Sequence, residues 1–188
     1  EWFFGVGAGG FGLVGGAKIA TNNANNSGLP MMYQTSLGTH DFILGVFVTG
    51  YSWDYVAGYQ RPIKHVNNNE FLGNGDYKSS NGLRRAGDIM LKVERRFQFT
   101  KSVLTFGVVN FYHLGDDKII DSSTNAMVKV RNTTNYSLNL TAKSYFYIFD
   151  RINADITFAI PIIGSKQRFD GLSRTFSVAI ALSNVFLK

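Results

Sequence analysis

The feature of this chain that most constrains its fold is an alternation of side chains with a period of two. In the C-terminal segment every second residue is bulky and apolar, and the residues between them are small or polar. The apolar positions are Phe176, Val178, Ile180, Leu182 and Phe186. Successive side chains of a β-strand point to opposite faces. The alternation therefore predicts a strand with one apolar face and one small, polar face.

The same alternation recurs along the 188 residues and predicts eight strands. They are expected at about 2–19, 31–39, 42–58, 86–99, 103–114, 134–148, 152–163 and 174–187. No segment longer than about ten residues combines a helical apolar stripe with capping residues. The sequence thus predicts an all-β protein in which residues 1–188 form one domain.

The predicted connections alternate between long and short along the chain. The short ones fall at 40–41, 100–102 and 150–151, and the longest lies between the third and fourth strands. A meander with this order has its tight turns at one end and its long loops at the other, and both termini then lie at the tight-turn end. We therefore expect an eight-stranded antiparallel up-and-down β-barrel.

The sizes of the side chains indicate which face of this barrel points outward. Eight strands enclose a space just wide enough for side chains, and eight faces of Phe, Ile and Leu would overfill it. Small polar residues with a few opposed charges fit that space, so the apolar faces are expected to meet lipid in a transmembrane β-barrel. The mean hydropathy of −0.03 then averages a lipid face, a polar lumen and wet loops. A soluble lipocalin-like barrel, with the faces reversed, is the alternative.

Aromatic residues fall near both ends of the predicted strands. Those beside predicted tight turns or the C-terminus are Phe97, Phe99, Phe146, Phe149 and Phe186. Those near predicted long loops are Tyr51, Trp53, Tyr55, Tyr112 and Tyr136. Transmembrane barrels carry aromatic girdles at both membrane interfaces, so this placement agrees with a lipid-facing sheet.

With these features the chain resembles the small eight-stranded bacterial outer-membrane barrels, the class of the OmpA membrane domain, OmpX and OmpW. Its last predicted strand, from Phe176 to Phe186, is similar to the signal that the outer-membrane assembly machinery reads, although Leu187 and Lys188 follow the final aromatic residue. The resemblance implies a bacterial outer-membrane location with extracellular long loops and periplasmic termini. It also implies lipopolysaccharide or an equivalent lipid, and the assembly machinery, as partners.

Charged residues on the predicted inner face form the first candidate site. They are Lys92, Glu94, Arg96, Lys143 and Asp155. Ions that face a low-dielectric lumen must be paired or hydrated. We expect an ion-pair network that fills the lumen, and the alternative is a gate or a narrow polar path. Arg95 departs from the pattern and is expected to face outward near an interface.

The longest predicted loop is basic and forms the second candidate site. Its cations are Arg61, Lys64, Lys78, Arg84 and Arg85, against Glu70 and Asp76, which gives a net charge of +3. Such a loop attracts lipopolysaccharide phosphates, acidic polymers or another extracellular ligand, or it serves solubility alone. The aromatics are not spaced as in a nucleic-acid groove, so no nucleic-acid partner is predicted.

The residues that carry enzyme and metal chemistry are sparse. The chain has no cysteine and three histidines, His40, His65 and His113, without a metal-binding spacing. We predict no metal, no cofactor and no catalysis. A lipid A-modifying enzyme at the outer rim, with His65 or His113 beside Asp116 or Asp117, is an alternative.

The N-terminal segment is rich in glycine. Residues 5–10 fit the spacing of a dinucleotide-binding loop, but the strand, helix and acidic residue that this motif needs are missing. We expect a strand whose bare backbone lets its neighbours pack closely.

The sequence therefore predicts a small integral outer-membrane barrel with a lumen filled by side chains. Its expected role is envelope integrity or surface binding through four long extracellular loops. The alternatives are a narrow pore, an OmpW-like transporter of small molecules, and the lipid A-modifying enzyme.

Overall fold

The structure is a computed structural model, and it describes residues 2–8, 10–20, 29–30, 38–65, 70–73, 79–149, 152–164 and 175–184. The regular secondary structure within these residues consists of β-strands alone, so the predicted all-β class is confirmed for the described part of the chain. No helix among these residues is long and apolar enough to cross a membrane.

The described residues form eleven strands. They are β1 (Trp2–Ala8), β2 (Phe11–Lys18), β3 (Thr39–Thr49), β4 (Trp53–His65), β5 (Asp88–Gln98), β6 (Ser102–His113), β7 (Lys118–Ile120), β8 (Met127–Lys129), β9 (Tyr136–Phe149), β10 (Ile152–Ile163) and β11 (Ser177–Asn184). Nine of them make one antiparallel meander in the order β1-β2-β3-β4-β5-β6-β9-β10-β11. The small β7–β8 hairpin lies in the connection between β6 and β9.

Five predicted strands coincide with β5, β6, β9, β10 and β11 to within a few residues, but two others are hairpins. The prediction of one strand over 2–19 is wrong, because β1 and β2 meet at a turn that includes Gly10, whose φ of 81° suits a residue without a Cβ. The prediction over 42–58 is wrong in the same way, because β3 and β4 meet at residues 50–52. The turn predicted at 40–41 lies inside β3. Of the strand predicted at 31–39, residues 31–37 lie outside the described residues.

These hairpins make nine strands in the described sheet instead of the predicted eight. The four short connections, which follow β1, β3, β5 and β9, lie at one end of the sheet, which we call the tight-turn end. The four long connections lie at the other, which we call the long-connection end. With an odd number of strands, Trp2 lies at the long-connection end and Asn184 at the tight-turn end. The expectation that both ends of the sheet lie at the tight-turn end is therefore wrong for the described strands.

The described sheet is open. β1 pairs with β2 and β11 pairs with β10, and no pairing joins β1 to β11 among the described residues. The antiparallel sheet is thus established for the described residues, whereas its closure into a barrel is not.

The two faces of the sheet differ in exposure in the sense that the alternation predicts. Most large apolar side chains point to the exposed face, which we call the apolar face; Leu13, Leu44, Leu91, Leu140 and Ile180 are 43–68% exposed there. Phe47 and Phe111 are exceptions and lie on the opposite face. Polar and charged side chains occupy the opposite, polar face. Examples that are buried there are Asp41, Glu94, Ser137 and Asn153, at 1–6% exposed. The sheet is therefore inside out relative to that of a water-soluble protein.

The glycine-rich N-terminal hairpin packs closely on its neighbour, as the sequence predicts. Gly12 pairs with Phe47 of β3, and the phenyl ring lies over the bare glycine so closely that a Cβ at Gly12 would overlap it. The glycine therefore provides the space that a large ring on the polar face occupies.

The long-connection end has an apolar core of its own. Leu83 is 1% exposed and Phe71 is 7% exposed. The Ser80 amide donates to the Phe71 carbonyl at 3.0 Å, and the Ile120 amide donates to the Asn81 carbonyl at 2.8 Å. The connection before β5 is thus hydrogen-bonded to the β7–β8 hairpin.

Candidate functional site

The polar face of the sheet carries a charged cluster built on Glu94, which is 5% exposed. Its carboxylate forms ion pairs with the Lys92 ammonium at 2.8 Å and with the Lys143 ammonium at 2.7 Å. The cluster joins β5 to β9 across the intervening β6. The structure thus brings together three of the five residues that the sequence proposed as an interior network.

Gly107 of β6 leaves the space that this contact needs. The sequence analysis did not identify this role of Gly107. Gly107 pairs with Glu94 on one side and with Thr141 on the other. A Cβ at Gly107 would lie 2.5 Å from Glu94 Cγ and 2.7 Å from the Val93 carbonyl oxygen. Because that space is open, the Glu94 side chain lies over β6 toward Lys143. A glycine inside a strand is the signal that marks such a close approach.

The other two predicted members of the network lie apart from this cluster. Arg96 Nε is 2.9 Å from Asp54 Oδ2, and Arg96 Nη2 donates to the Gly50 carbonyl at 2.5 Å. Arg96 thus anchors the β3–β4 turn. Asp155 pairs with Tyr145 in the sheet and forms no ion pair with any described residue. The single five-residue network of the sequence analysis is therefore corrected to one three-residue cluster and one separate pair.

A further polar cluster, which the sequence did not predict, centres on Asp41. Its carboxylate lies 2.5 Å from the Lys18 ammonium and accepts from the Gln60 amide at 2.5 Å. These residues belong to β2, β3 and β4. The sequence analysis missed the cluster because it placed Asp41 in a tight turn.

His113, the last residue of β6, lies between two carboxylates at the long-connection end. Its Nδ1 is 2.6 Å from Asp88 Oδ1, and its Nε2 is 2.9 Å from Asp117 Oδ1. Carboxylates only accept hydrogen bonds, so both ring nitrogens donate and the imidazole is protonated. Asp117 Oδ1 also accepts from the Ala86 amide at 2.9 Å, and the Asp117 amide donates to Thr133 Oγ1 at 2.7 Å.

This arrangement sets the protonation of two histidines. Burial by itself lowers the pKa of His113, but the hydrogen bonds to Asp117 and Asp88 outweigh burial and raise that pKa to about 9. Burial and then the Arg84 charge lower the pKa of His65. Since carboxylates occupy both nitrogens of His113, neither is free to take a proton from a hydroxyl nucleophile. Asp116 is separate from His113 and accepts from Thr134 Oγ1 at 3.3 Å.

The structure places two of the five cations of the predicted basic loop in a strand. Arg61 and Lys64 are exposed residues of β4, so the prediction that they lie in a loop is wrong. Arg84 Nη1 donates to the His65 carbonyl at 3.3 Å, and Arg85 Nη2 lies 3.3 Å from Asp88 Oδ2. Lys78 lies outside the described residues.

The last strand is exposed on both faces over its described side chains, so the predicted alternation stands in the side-chain types and not in the burial. Val178, Ile180 and Leu182 of β11 are 52–70% exposed. Phe176, just before β11, stacks on Phe158 with ring centroids 6.1 Å apart. Phe186 lies outside the described residues.

Aromatic side chains lie at both ends of the apolar face, with one correction. Tyr51, Trp53 and Tyr55 lie at or beside the β3–β4 turn and therefore at the tight-turn end, not near a long loop. Tyr112 and Tyr136 pair at the long-connection end as predicted. At the tight-turn end, the exposed Arg95 guanidinium lies 5.4 Å from the Trp53 ring centroid and 5.0 Å from that of Phe97, close enough for cation–π attraction.

The described residues point to no metal site, and similarity to known proteins points to no family. In the described part of the chain, no three His, Asp or Glu side chains are grouped to hold a metal ion. No protein-family model matches the chain, and no curated protein matches it.

The Glu94 cluster yields a stability prediction. We expect Glu94→Gln to lower the free energy of unfolding by about 2–3 kcal/mol, because two lysines then face each other without a carboxylate. This loss is below that of a fully buried pair, since the lysine side chains are 23% and 37% exposed. Denaturant titration of tryptophan fluorescence measures it. Asp155→Asn, on the same face but outside the cluster, is the control and should cost less than about 0.5 kcal/mol. Equal losses in both variants would contradict a specific role for the cluster.

The His113 network yields a pH prediction. Between the unfolded pKa of about 6.5 and the folded pKa of about 9, the folded protein keeps a proton that the unfolded chain has lost. Stability should therefore fall as pH rises through this window, by on the order of 3 kcal/mol in total. His113→Gln should remove that slope from denaturant titrations. His65→Gln should keep it, because His65 is neutral above pH 7 in both states. A wild-type slope in His113→Gln is the result that contradicts the prediction.

Proposed function

We propose that the chain is an integral bacterial outer-membrane barrel whose polar face lines a lumen filled with side chains. Its work is envelope integrity or surface binding through the four connections at the long-connection end, which we place outside the cell. The observation that carries this proposal is the inverted sheet, with large apolar side chains exposed and charged side chains buried. Water penalises such exposure by about 25 cal/mol per Å², whereas lipid does not.

The two aromatic groups support a membrane-spanning orientation. Tyr112 and Tyr136 mark one interface, and the Trp53–Arg95–Phe97 cluster marks the other. The strand segments between these levels span the hydrocarbon. His113 and Asp117 then lie outside the spanning segments, on the long-connection side.

Closure of the sheet is part of the proposal, because unpaired strand edges are not stable in hydrocarbon. β1 and β11 run in the same direction, since both start at the long-connection end. The eight strands from β2 to β11 in the meander, without β1, have antiparallel edges. We therefore place the barrel seam between β2 and β11, with β1 released from β2. An eight-stranded interior is narrow enough for the observed side chains to fill.

The ionic contacts support a filled lumen over the pore or the OmpW-like transporter. Glu94 binds Lys92 and Lys143 across three strands, and Arg96 binds Asp54 beside them. Both ring nitrogens of His113 are hydrogen-bonded to carboxylates, which favours a non-catalytic protein over a lipid A-modifying enzyme. Planar-bilayer recordings test the first point: discrete conductance steps from the pure wild-type protein would contradict a filled lumen.

Two substitutions on the apolar face test the membrane location by how much each one destabilises the protein. Leu140 is 43% exposed in the middle of β9, and Leu114 is 42% exposed just beyond β6. In lipid, Leu140→Arg should destabilise the protein by about 2–4 kcal/mol and Leu114→Arg by about 0–1 kcal/mol. The measurement is urea unfolding in phospholipid vesicles, beside a heat-dependent shift in gel mobility. In a water-soluble protein both substitutions are nearly neutral, and wild type stays soluble without detergent; that pair of results would reject the membrane location.

Disulfide trapping tests the seam, and the absence of native cysteine keeps the background clean. In the open sheet, Val6 pairs with Leu13. In the closed barrel, Leu13→Cys should instead cross-link with cysteine at Val178, Ile180 or Leu182, because cross-linked Cα atoms lie within about 7 Å. The readout is oxidation in vesicles followed by a gel. Efficient Val6–Leu13 cross-linking, with none between β2 and β11, would show that the proposed seam is wrong.

A further inference from the structure

Three cations lie side by side at the long-connection end, on three neighbouring backbone segments. Lys118 pairs with Lys129 in the β7–β8 hairpin, and Arg84 forms an antiparallel bridge with Lys118 on the other side. Directly paired residues point to the same face of a sheet. Arg84, Lys118 and Lys129 therefore form one row, which we call the cationic row.

The backbone pattern places the two lysines of this row in the closer of the two kinds of antiparallel pair. The Lys118 amide donates to the Arg84 carbonyl at 2.9 Å, and the Arg84 amide donates to the Lys118 carbonyl at 2.8 Å. Since both polar groups of Lys118 point to Arg84, its pairing with Lys129 is of the non-hydrogen-bonded kind, in which side chains are closest. Like charges directly opposite in this way destabilise a hairpin.

Nearby carboxylates do not relieve this repulsion. Asp117 is buried and holds His113, and Asp116 accepts from Thr134. Asp121 binds the amides of Ser123 and Thr124 in the hairpin turn. Among the described residues, no carboxylate forms an ion pair with Lys118 or Lys129, and both lysines are exposed.

The backbone of the row is held in place by neighbouring contacts, and Arg84 Nη1 also donates to the His65 carbonyl at 3.3 Å. The Val130 amide donates to the Asp117 carbonyl at 2.8 Å, and Leu83, next to Arg84, is buried. An anion that binds here therefore meets two lysines held on paired strands, with Arg84 on the neighbouring backbone segment. A tetrahedral dianion is small enough to contact both ammonium groups and neutralises their repulsion.

We propose that the cationic row binds a phosphomonoester or pyrophosphate group, and that in the cell this group is carried by a lipid of the outer leaflet. The lipid source rests on the proposed function, which places the row just beyond the Tyr112 and Tyr136 level, at the height of lipid phosphates. The phosphate chemistry rests on the row alone.

The test compares Lys118→Gln and Lys129→Gln with Lys101→Gln, an exposed lysine in the turn at the opposite end of the sheet. Purified full-length proteins are titrated with pyrophosphate at constant ionic strength and with vesicles of phosphatidylcholine, with or without lipopolysaccharide. Each row variant should weaken pyrophosphate and lipopolysaccharide-vesicle binding about fivefold. Without phosphate it should raise the unfolding midpoint, because it removes the repulsion. Lys101→Gln should change neither binding nor the midpoint.

The outcomes distinguish phosphate binding by the cationic row from the membrane location of the protein. Loss of pyrophosphate binding in the row variants supports the site, and the same loss with lipopolysaccharide vesicles supports the lipid source. Pyrophosphate binding by a protein that is soluble without detergent supports the site while it rejects the membrane setting. Wild-type affinity for both probes in a protein that carries both Lys118→Gln and Lys129→Gln, or an equal loss in Lys101→Gln, overturns the proposal.

Discussion

Glu94 holds ammonium groups from two strands that are not neighbours, and this contact fixes the orientation of the whole sheet. Lys92 and Lys143 reach Glu94 only when the charged residues of β5 and β9 share one face. Because the side-chain period of a strand is two, this choice sends Leu91 and Leu140 to the other face. A sheet whose charges are paired on one face therefore leaves its bulky apolar residues on the other, as the proposed membrane location requires.

The other ionic contacts extend the same principle along the meander. The Asp41 cluster joins β2, β3 and β4, the Arg96–Asp54 pair joins β4 and β5, and the His113 network joins β5, β6 and the following connection. Among the described residues, no ion pair involves β1, β10 or β11. Charge pairing thus holds together the middle of the sheet, whereas backbone hydrogen bonds and packing hold its edges. A seam at these edges changes strand pairing without breaking an observed ion pair.

The alternation predicts the faces of β5, β9, β10 and β11, but it leaves those of the other strands open and conceals two turns. The outward residues of β3 have even numbers, such as Val46 and Val48, and those of β4 have odd numbers, such as Trp53 and Tyr55. This change from even to odd numbers marks the turn at 50–52. A search for alternation that does not register the change predicts one long strand in place of two. Glycine hides the same change between β1 and β2, because it has no side chain to assign to a face. The missed turns then changed the strand count and the end of the sheet at which the first strand begins.

The contacts of the candidate sites depend on register, which the sequence does not contain. Lys143 lies 49 positions after Glu94, and they meet because Gly107 lies between their strands in a pairing that the alternation alone leaves open. The cationic row likewise depends on how Arg84 and Lys118 pair between two connections. The long-connection end also has its own buried residue in Leu83 and its own buried histidine in His113. Its packing contacts are therefore additional to the charged cluster that joins β5 to β9.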